Sequence, residues 1–109
     1  MSKNELEKII NETWDRKEEI NKNSDKKIID AINQTINDLD SGVARVAEKI
    51  DGRWVTHQYL KKAIMLSFRI YDMEALSGPY SSWYDKSHLI KGKTAGWTKE
   101  DHIKAGFRM

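Results

Sequence analysis

A chain of 109 residues is long enough for one domain with one modest hydrophobic core, and not for two domains. Its formal net charge of +2 is too small to indicate a nucleic-acid or membrane-surface partner, and the absence of cysteine excludes disulfides, thiolate catalysis and cysteine-ligated metals. The longest strongly apolar stretch, residues 63–68, is far shorter than the ~20 residues of a membrane helix, and the charged N-terminus is unlike a signal peptide. We therefore expect a cytoplasmic protein with no membrane partner.

The first predicted element is an amphipathic helix over residues 2–17. Ser2 and Glu5 have the spacing of a capping box, in which the serine side chain accepts a hydrogen bond from a free N–H of the first turn. Apolar residues then recur with helical spacing at Leu6, Ile9, Ile10 and Trp14. The polar segment 18–23 is predicted to be a connection.

A second amphipathic helix is predicted to begin after Ser24 or Asp25, either of which can cap it. Gly42 is predicted to end it, because glycine adopts the left-handed conformation at a helix C-terminus at little cost. The apolar stripe of this helix consists of Ile28, Ile29, Ile32, Ile36 and Leu39. Two such helices with a short link are predicted to pack as an antiparallel pair, with the stripes in the core.

A β-hairpin is predicted next, because the Asp51-Gly52 pair suits a type I′ turn between two β-prone segments. A two-residue turn places Ile50 opposite Arg53, Lys49 opposite Trp54 and Glu48 opposite Val55. Both faces of the hairpin carry apolar residues, so we expect one face to pack on the helices.

A third helix, over residues 58–71, is predicted to lie at the centre of the fold because it is apolar nearly all round. Lys61, Lys62 and Arg69 are its strong polar positions, and we expect them to share an edge exposed to solvent. Contact of Lys61 and Lys62 with an anionic ligand is the alternative to this interpretation.

The C-terminal third is less regular, with a break at residues 77–79, short extended pieces within residues 80–90 and a polar loop at 91–96. Thr98 is predicted to cap a short fourth helix, with Asp101 three residues further on, and Gly106 to end it. Residues 107–109 are predicted to begin a strand. Because the chain stops inside this extended segment, we expect it to be a truncated piece of a longer protein.

Short motifs indicate no catalytic or metal site. The three histidines, His57, His88 and His102, lack metal-ligand spacing, and Gly92-Lys93-Thr94 lacks the upstream glycine and buried strand of a phosphate loop. The four tryptophans are interpreted as core residues, although they could stack on bases. The residues alone therefore predict a small α+β domain, and a helical interaction module or a weak nucleic-acid binder remains possible.

A longer pattern is far more specific. Residues 39–63 and 66–70, together with Gly106-Phe107-Arg108, closely resemble the N-terminal domain of bacterial tetrahydrodipicolinate N-succinyltransferases. The resemblance implies a mostly α, α+β N-terminal domain over residues 1–109: an amphipathic helix pair, a β-hairpin, a central buried helix and a short fourth helix. In that family this domain precedes a left-handed parallel β-helix of hexapeptide repeats, which is absent from this chain.

The resemblance also implies a function. Members of the family are homotrimers that transfer a succinyl group from succinyl-CoA to tetrahydrodipicolinate in lysine and diaminopimelate biosynthesis, with the CoA cleft and an acidic base on the β-helix. No catalytic residue, bound cofactor or metal is therefore expected in this chain. Arg108 is similar to the arginine that binds the dicarboxylate substrate, and a guanidinium can hold a carboxylate through two parallel hydrogen bonds. A stand-alone interaction module without enzymatic activity is the alternative function.

Overall fold

The computed structural model describes residues 1–90, 92–106 and 108. The chain has a mostly α-helical α+β fold with two small antiparallel hairpins, which confirms the predicted fold class. It divides into two compact units, Met1–Asp72 and Met73–Met109. Among the helices that the structure describes, none combines the length and the apolar character needed to cross a membrane.

Helix α1 spans Lys3–Trp14, and the Ser2 hydroxyl accepts a hydrogen bond from the Glu5 N–H at 3.2 Å. The predicted end at residue 17 is wrong, because the backbone of Arg16 leaves the helical region and a short 3₁₀ helix follows at Lys17–Glu19. This early end brings Ile20 back to the core, where it is buried although the segment around it is polar. A tertiary contact thus ends a helix that local spacing would have continued.

Helix α2 spans Lys26–Ser41 and confirms both predicted ends. The Asp25 side chain caps its start by accepting from the Lys27 N–H, and Gly42 follows its last residue with a φ of 82°. Within the predicted stripe Ile28 and Ile32 are buried, and the other members pack against the core from its edge.

Strands β1 (Ala47–Ile50) and β2 (Arg53–Thr56) form the predicted hairpin with the predicted register. Asp51 and Gly52 both have positive φ, 50° and 78°, as a type I′ turn requires. Trp54 is 74% exposed, so the core role predicted for it is wrong. Glu48 and Val55 occupy the half-buried face of this hairpin, and side-chain alternation places Trp54 on the opposite face.

Helix α3 spans Gln58–Ile70 and contacts both α1 and α2, which confirms its central place. Its buried face consists of Tyr59, Leu60, Ala63, Leu66, Ser67 and Ile70. The helix is not buried on all sides, because the apolar side chain of Met65 is 53% exposed to solvent. Lys61 is exposed, whereas the Lys62 ammonium donates to Asn11 Oδ1 at 3.0 Å and so joins α3 to α1.

The second unit begins with an antiparallel hairpin of β3 (Met73–Ser77) and β4 (Ser82–Lys86). The sequence did not indicate β3, whose methionine, glutamate, alanine and leucine favour helices, so cross-strand pairing overrides local propensity here. The predicted break is confirmed as a turn in which the Gly78 N–H donates to the Ser81 carbonyl at 2.7 Å. Residues Ser87–Ile90 form the short helix α4 rather than an extended piece.

Helix α5 spans Lys99–Ala105 and is the predicted fourth helix, with Thr98 as its cap and Gly106 beyond its end. Trp97 before it and Trp14 in α1 are half-buried, whereas Trp83 in β4 is 52% exposed and is not the core residue predicted. Lys91 of the predicted polar loop, and Phe107 and Met109 of the predicted terminal strand, lie outside the described residues.

We expect Leu66→Ala to lower the free energy of unfolding by about 2–5 kcal/mol, because it opens a cavity where the side chain is fully buried between helices. Met65→Ala removes a similar volume from the neighbouring, exposed position and should cost far less. Urea unfolding followed by circular dichroism measures both. Equal losses for the two variants would show that α3 does not present this face to the core.

Candidate functional site

Arg108, the predicted substrate-binding residue, is placed by the local structure around α5. Thr98 and Asp101 form a reciprocal capping box, in which the Asp101 N–H donates to the Thr98 hydroxyl at 3.3 Å and the Thr98 N–H donates to the Asp101 carboxylate at 2.8 Å. At the other end Gly106 has a φ of 78°, and its N–H donates to the His102 carbonyl. The chain therefore turns at a fixed point two residues before Arg108.

The Arg108 side chain lines an open hollow of about 510 Å³ in the second unit. The other described residues that line it are Lys99, His102, Ile103 and Gly106. These positions are spaced by three, one and three residues, which places them on one face of α5 and its terminal turn. The turn at Gly106 thus returns Arg108 to the face that carries Lys99 and His102, and we name this surface the Arg108 hollow.

The electrostatic character of the Arg108 hollow favours anions. Lys99 and Arg108 are exposed, and neither side chain forms a hydrogen bond or ion pair with another residue that the structure describes. His102 adds the two nitrogens of its imidazole ring. This ring packs edge-on against Trp97, with the ring centroids 5.1 Å apart and an angle of 64° between the ring planes. The exposed Ile103 supplies an apolar patch. A carboxylate with a short hydrocarbon body is complementary to this set of groups.

Asp101 lies two residues after the lysine of this hollow, and its carboxylate is bonded within the helix cap. The backbone N–H of Thr98 is the main cause that holds the pKa of Asp101 below its ordinary value of 3.8, and the Thr98 hydroxyl adds to the effect. The carboxylate therefore stays ionised and accepts the hydrogen bond of the Thr98 N–H at the start of α5.

The other residues considered from the sequence are not gathered into one site. His57 lies in the first unit and His88 and His102 in the second, and among the described residues no group of three potential metal ligands comes together. Burial lowers the pKa of His88, and the positive charge of Lys86 lowers it further. Lys93 and Thr94 lie in a turn before α5 and not at the end of a buried strand.

One pair that the sequence reasoning missed is Glu48 with His57, whose Oε2 and Nε2 atoms are 3.1 Å apart. The signal was present in the hairpin register. Glu48 pairs with Val55, and a residue two positions after Val55 lies on the same face and within reach of the glutamate. The main-chain bond from the His57 N–H to the Val46 carbonyl, 2.8 Å, continues the ladder and holds the imidazole in that position.

Comparison with known proteins gives a consistent result. Residues 5–70 match the family model described as "Tetrahydrodipicolinate N-succinyltransferase N-terminal". A protein of Pelagibacter ubique named 2,3,4,5-tetrahydropyridine-2,6-dicarboxylate N-succinyltransferase is 70% identical over 105 residues, which cover 96% of this chain and 38% of that protein. Proteins with the same name from Parvibaculum lavamentivorans and Dechloromonas aromatica are 40% and 45% identical, over 99% and 95% of this chain and 38% and 37% of their own lengths. The chain thus spans less than two fifths of these relatives.

The capping box makes a prediction about pH. Because the pKa of Asp101 is lower in the folded chain than in the unfolded chain, the cap stabilises α5 fully above pH 3.8 and this stabilisation is lost as the pH falls through the lowered value. Carbon-13 NMR of the carboxyl group should show the lowered pKa. Thr98→Ala should raise it only part of the way, because the backbone N–H remains, and Lys104→Ala should leave it in place. An ordinary pKa in the unmodified chain would contradict the cap.

Proposed function

Because the chain belongs to the tetrahydrodipicolinate N-succinyltransferase N-terminal family, we propose that residues 1–109 are the N-terminal domain of an enzyme that transfers a succinyl group from succinyl-CoA to tetrahydrodipicolinate. The product of this reaction is N-succinyl-2-amino-6-oxopimelate, in lysine and diaminopimelate biosynthesis. The observation that carries the proposal is the 70% identity over 105 residues with a protein of that name. An identity this high over nearly the whole chain is far more specific than any short motif.

We further propose that the intact enzyme is a cytoplasmic homotrimer in which this domain precedes a left-handed parallel β-helix of hexapeptide repeats. The share of the relatives that this chain spans, 38%, leaves room for such a second domain. In this proposal the CoA cleft and the acidic general base belong to the β-helix. The domain described here packs against that β-helix and helps to close the substrate site.

The proposed task of Arg108 is to bind one carboxylate of the substrate. Water first hydrates and opens the cyclic substrate, so that its nitrogen becomes a free amine. This nitrogen attacks the thioester carbonyl, an N–C bond forms and the C–S bond breaks, and CoA leaves as the thiol with the proton that the nitrogen gives up. A guanidinium keeps its charge at any physiological pH, and it can fix the carboxylate through two hydrogen bonds. Such a contact sets the distance between the amine and the thioester, and positioning of this kind supplies a large part of many enzymatic rates. Arg108 lies two residues beyond the turn at Gly106, without an intramolecular partner among the described residues, as this task requires.

In the longer polypeptide, we expect Arg108→Ala to raise the KM for the dicarboxylate by about 10- to 100-fold, because a charge-assisted contact to the substrate is lost. The KM for succinyl-CoA should change little. Arg69→Ala, which removes an exposed arginine from α3, is the matched control and should change neither constant. Equal effects of Arg108→Ala on both substrates, or no effect on either, would remove Arg108 from the dicarboxylate site.

The 109-residue chain by itself should show no acyl transfer. Its described residues hold a cationic hollow and a glutamate–histidine pair, but the imidazole of His57 is bonded to Glu48 and to no hydroxyl that could serve as a nucleophile. A chromogenic thiol reagent measures release of CoA from succinyl-CoA in the presence of the dicarboxylate. Turnover by the purified chain would overturn the proposed assignment of the chemistry to the β-helix.

A further inference from the structure

The first unit contains a second hollow, of about 370 Å³, that the proposed acyl transfer does not use. It lies where the start of α1, the last turns of α2, the first hairpin and the first turn of α3 meet. Its charged and polar lining includes Lys3, Asp38, Arg45, Glu48, His57 and Tyr59. Its volume is near the lower limit of ordinary ligand sites, which suits a small molecule.

Two opposite charges on the lining of this hollow remain apart. The Ala44 N–H donates to the Asp38 carbonyl at 3.0 Å, which fixes the start of the segment that carries Arg45 beside the end of α2. The guanidinium of Arg45 and the carboxylate of Asp38 nevertheless form no ion pair with each other, nor a side-chain hydrogen bond with any residue that the structure describes. A cation and an anion that line one hollow without pairing can each contact the opposite charge of a single ligand.

Tyr59 provides a second, independent indication. Its side chain is only 5% exposed and lines the hollow, yet its hydroxyl forms no hydrogen bond with another described residue. Burial raises the pKa of Tyr59, and the charges of Glu7 and Asp38 raise it further, so the hydroxyl is neutral and can donate or accept. The hydroxyl is therefore available as a hydrogen-bond partner to a ligand in the hollow.

The remaining charged groups set the polarity of the site. Lys3 is exposed and has no partner among the described residues, so it adds a second cation. Glu48 is held by His57 and adds a second anion. The ammonium of Met1 donates to Gln34 Oε1 at 3.2 Å and is a third cation on this lining. A simple anion would therefore face two carboxylates, and a simple cation would face three cationic groups.

We propose that this hollow binds a small zwitterionic amino acid, with its α-carboxylate against Arg45 and Lys3 and its ammonium against Asp38. The Tyr59 hydroxyl then donates to the ligand carboxylate or accepts from its ammonium. Such a ligand places an opposite charge beside both Arg45 and Asp38, whereas a ligand with one charge leaves one of them beside a like charge or without a counter-charge. The site uses only residues of the first unit and does not depend on the proposed acyl transfer.

The test is a titration of the nitrogen-15-labelled chain, followed by two-dimensional NMR at constant ionic strength. The probes are L-alanine, L-glutamate and L-lysine, added one at a time, with acetate and methylammonium as probes that carry one half of the zwitterion. We expect at least one amino acid to give saturable shifts at the amides of Asp38, Arg45 and Tyr59, with an affinity at least tenfold higher than that of either half. The absence of saturable shifts, or an equal response to acetate or methylammonium, would overturn the proposal.

Variants separate ligand binding from folding. Arg45→Gln and Asp38→Asn should each weaken binding by about tenfold or more, because each removes one of the two charge contacts. Tyr59→Phe keeps the buried ring and should weaken binding by a smaller factor. Arg53→Gln, in strand β2 and outside the hollow, removes another exposed arginine and is the matched control for Arg45→Gln. Unchanged affinity in both charge variants, with spectra that show a folded chain, would overturn the assigned contacts.

Discussion

Burial of one face of α3 is the constraint on which the first unit depends. Leu60, Ala63 and Leu66 are almost fully inaccessible, and α3 buries more of its residues than either of the other long helices that it contacts. Each large apolar side chain buried in this way contributes about 1.5–3 kcal/mol, so a few positions account for much of the stability of a domain this small. The early termination of α1 follows from the same constraint, because the chain must turn at Arg16 for Ile20 to reach the core.

The same helix positions the hollow of the first unit, for which we propose an amino-acid ligand and which we name the amino-acid hollow. Strand β2 runs into α3 through a single residue, His57, so the hairpin cannot move independently of the helix start. Tyr59 is buried in the first turn of α3, and its hydroxyl is thereby presented from the most constrained part of the fold. Side chains on rigid, packed elements lose little further entropy when a ligand binds, which is how a small hollow can hold a small molecule.

Sequence reasoning succeeded where the signal was local. The register at Asp51-Gly52, the left-handed residue at Gly42 and the cap at Thr98 each depend on a few neighbouring residues, and backbone geometry leaves them little choice. It failed where distant contacts decide, as at Ile20, whose burial depends on the helices around it, and at β3, whose pairing with β4 overrides its helix-favouring composition. Arg108 was predicted to bind substrate through resemblance alone, since nothing in the residues around it distinguishes it from any other exposed arginine. The unpaired charges of Asp38 and Arg45 could not be found because a charge without a partner is visible only when its surroundings are known.

The two hollows differ in what holds them in place, and this difference has a functional consequence. In the second unit no described side chain is buried, so the Arg108 hollow owes its geometry to two local features, the capping box and the turn at Gly106. Such a site is readily reshaped when another surface or a substrate binds to it. The amino-acid hollow instead joins α1, α2, α3 and the first hairpin, so an occupant there binds only the folded unit and stabilises it by mass action. The chain thus combines an adaptable cationic surface, for which we propose a substrate carboxylate, with a rigid hollow, for which we propose an amino-acid ligand.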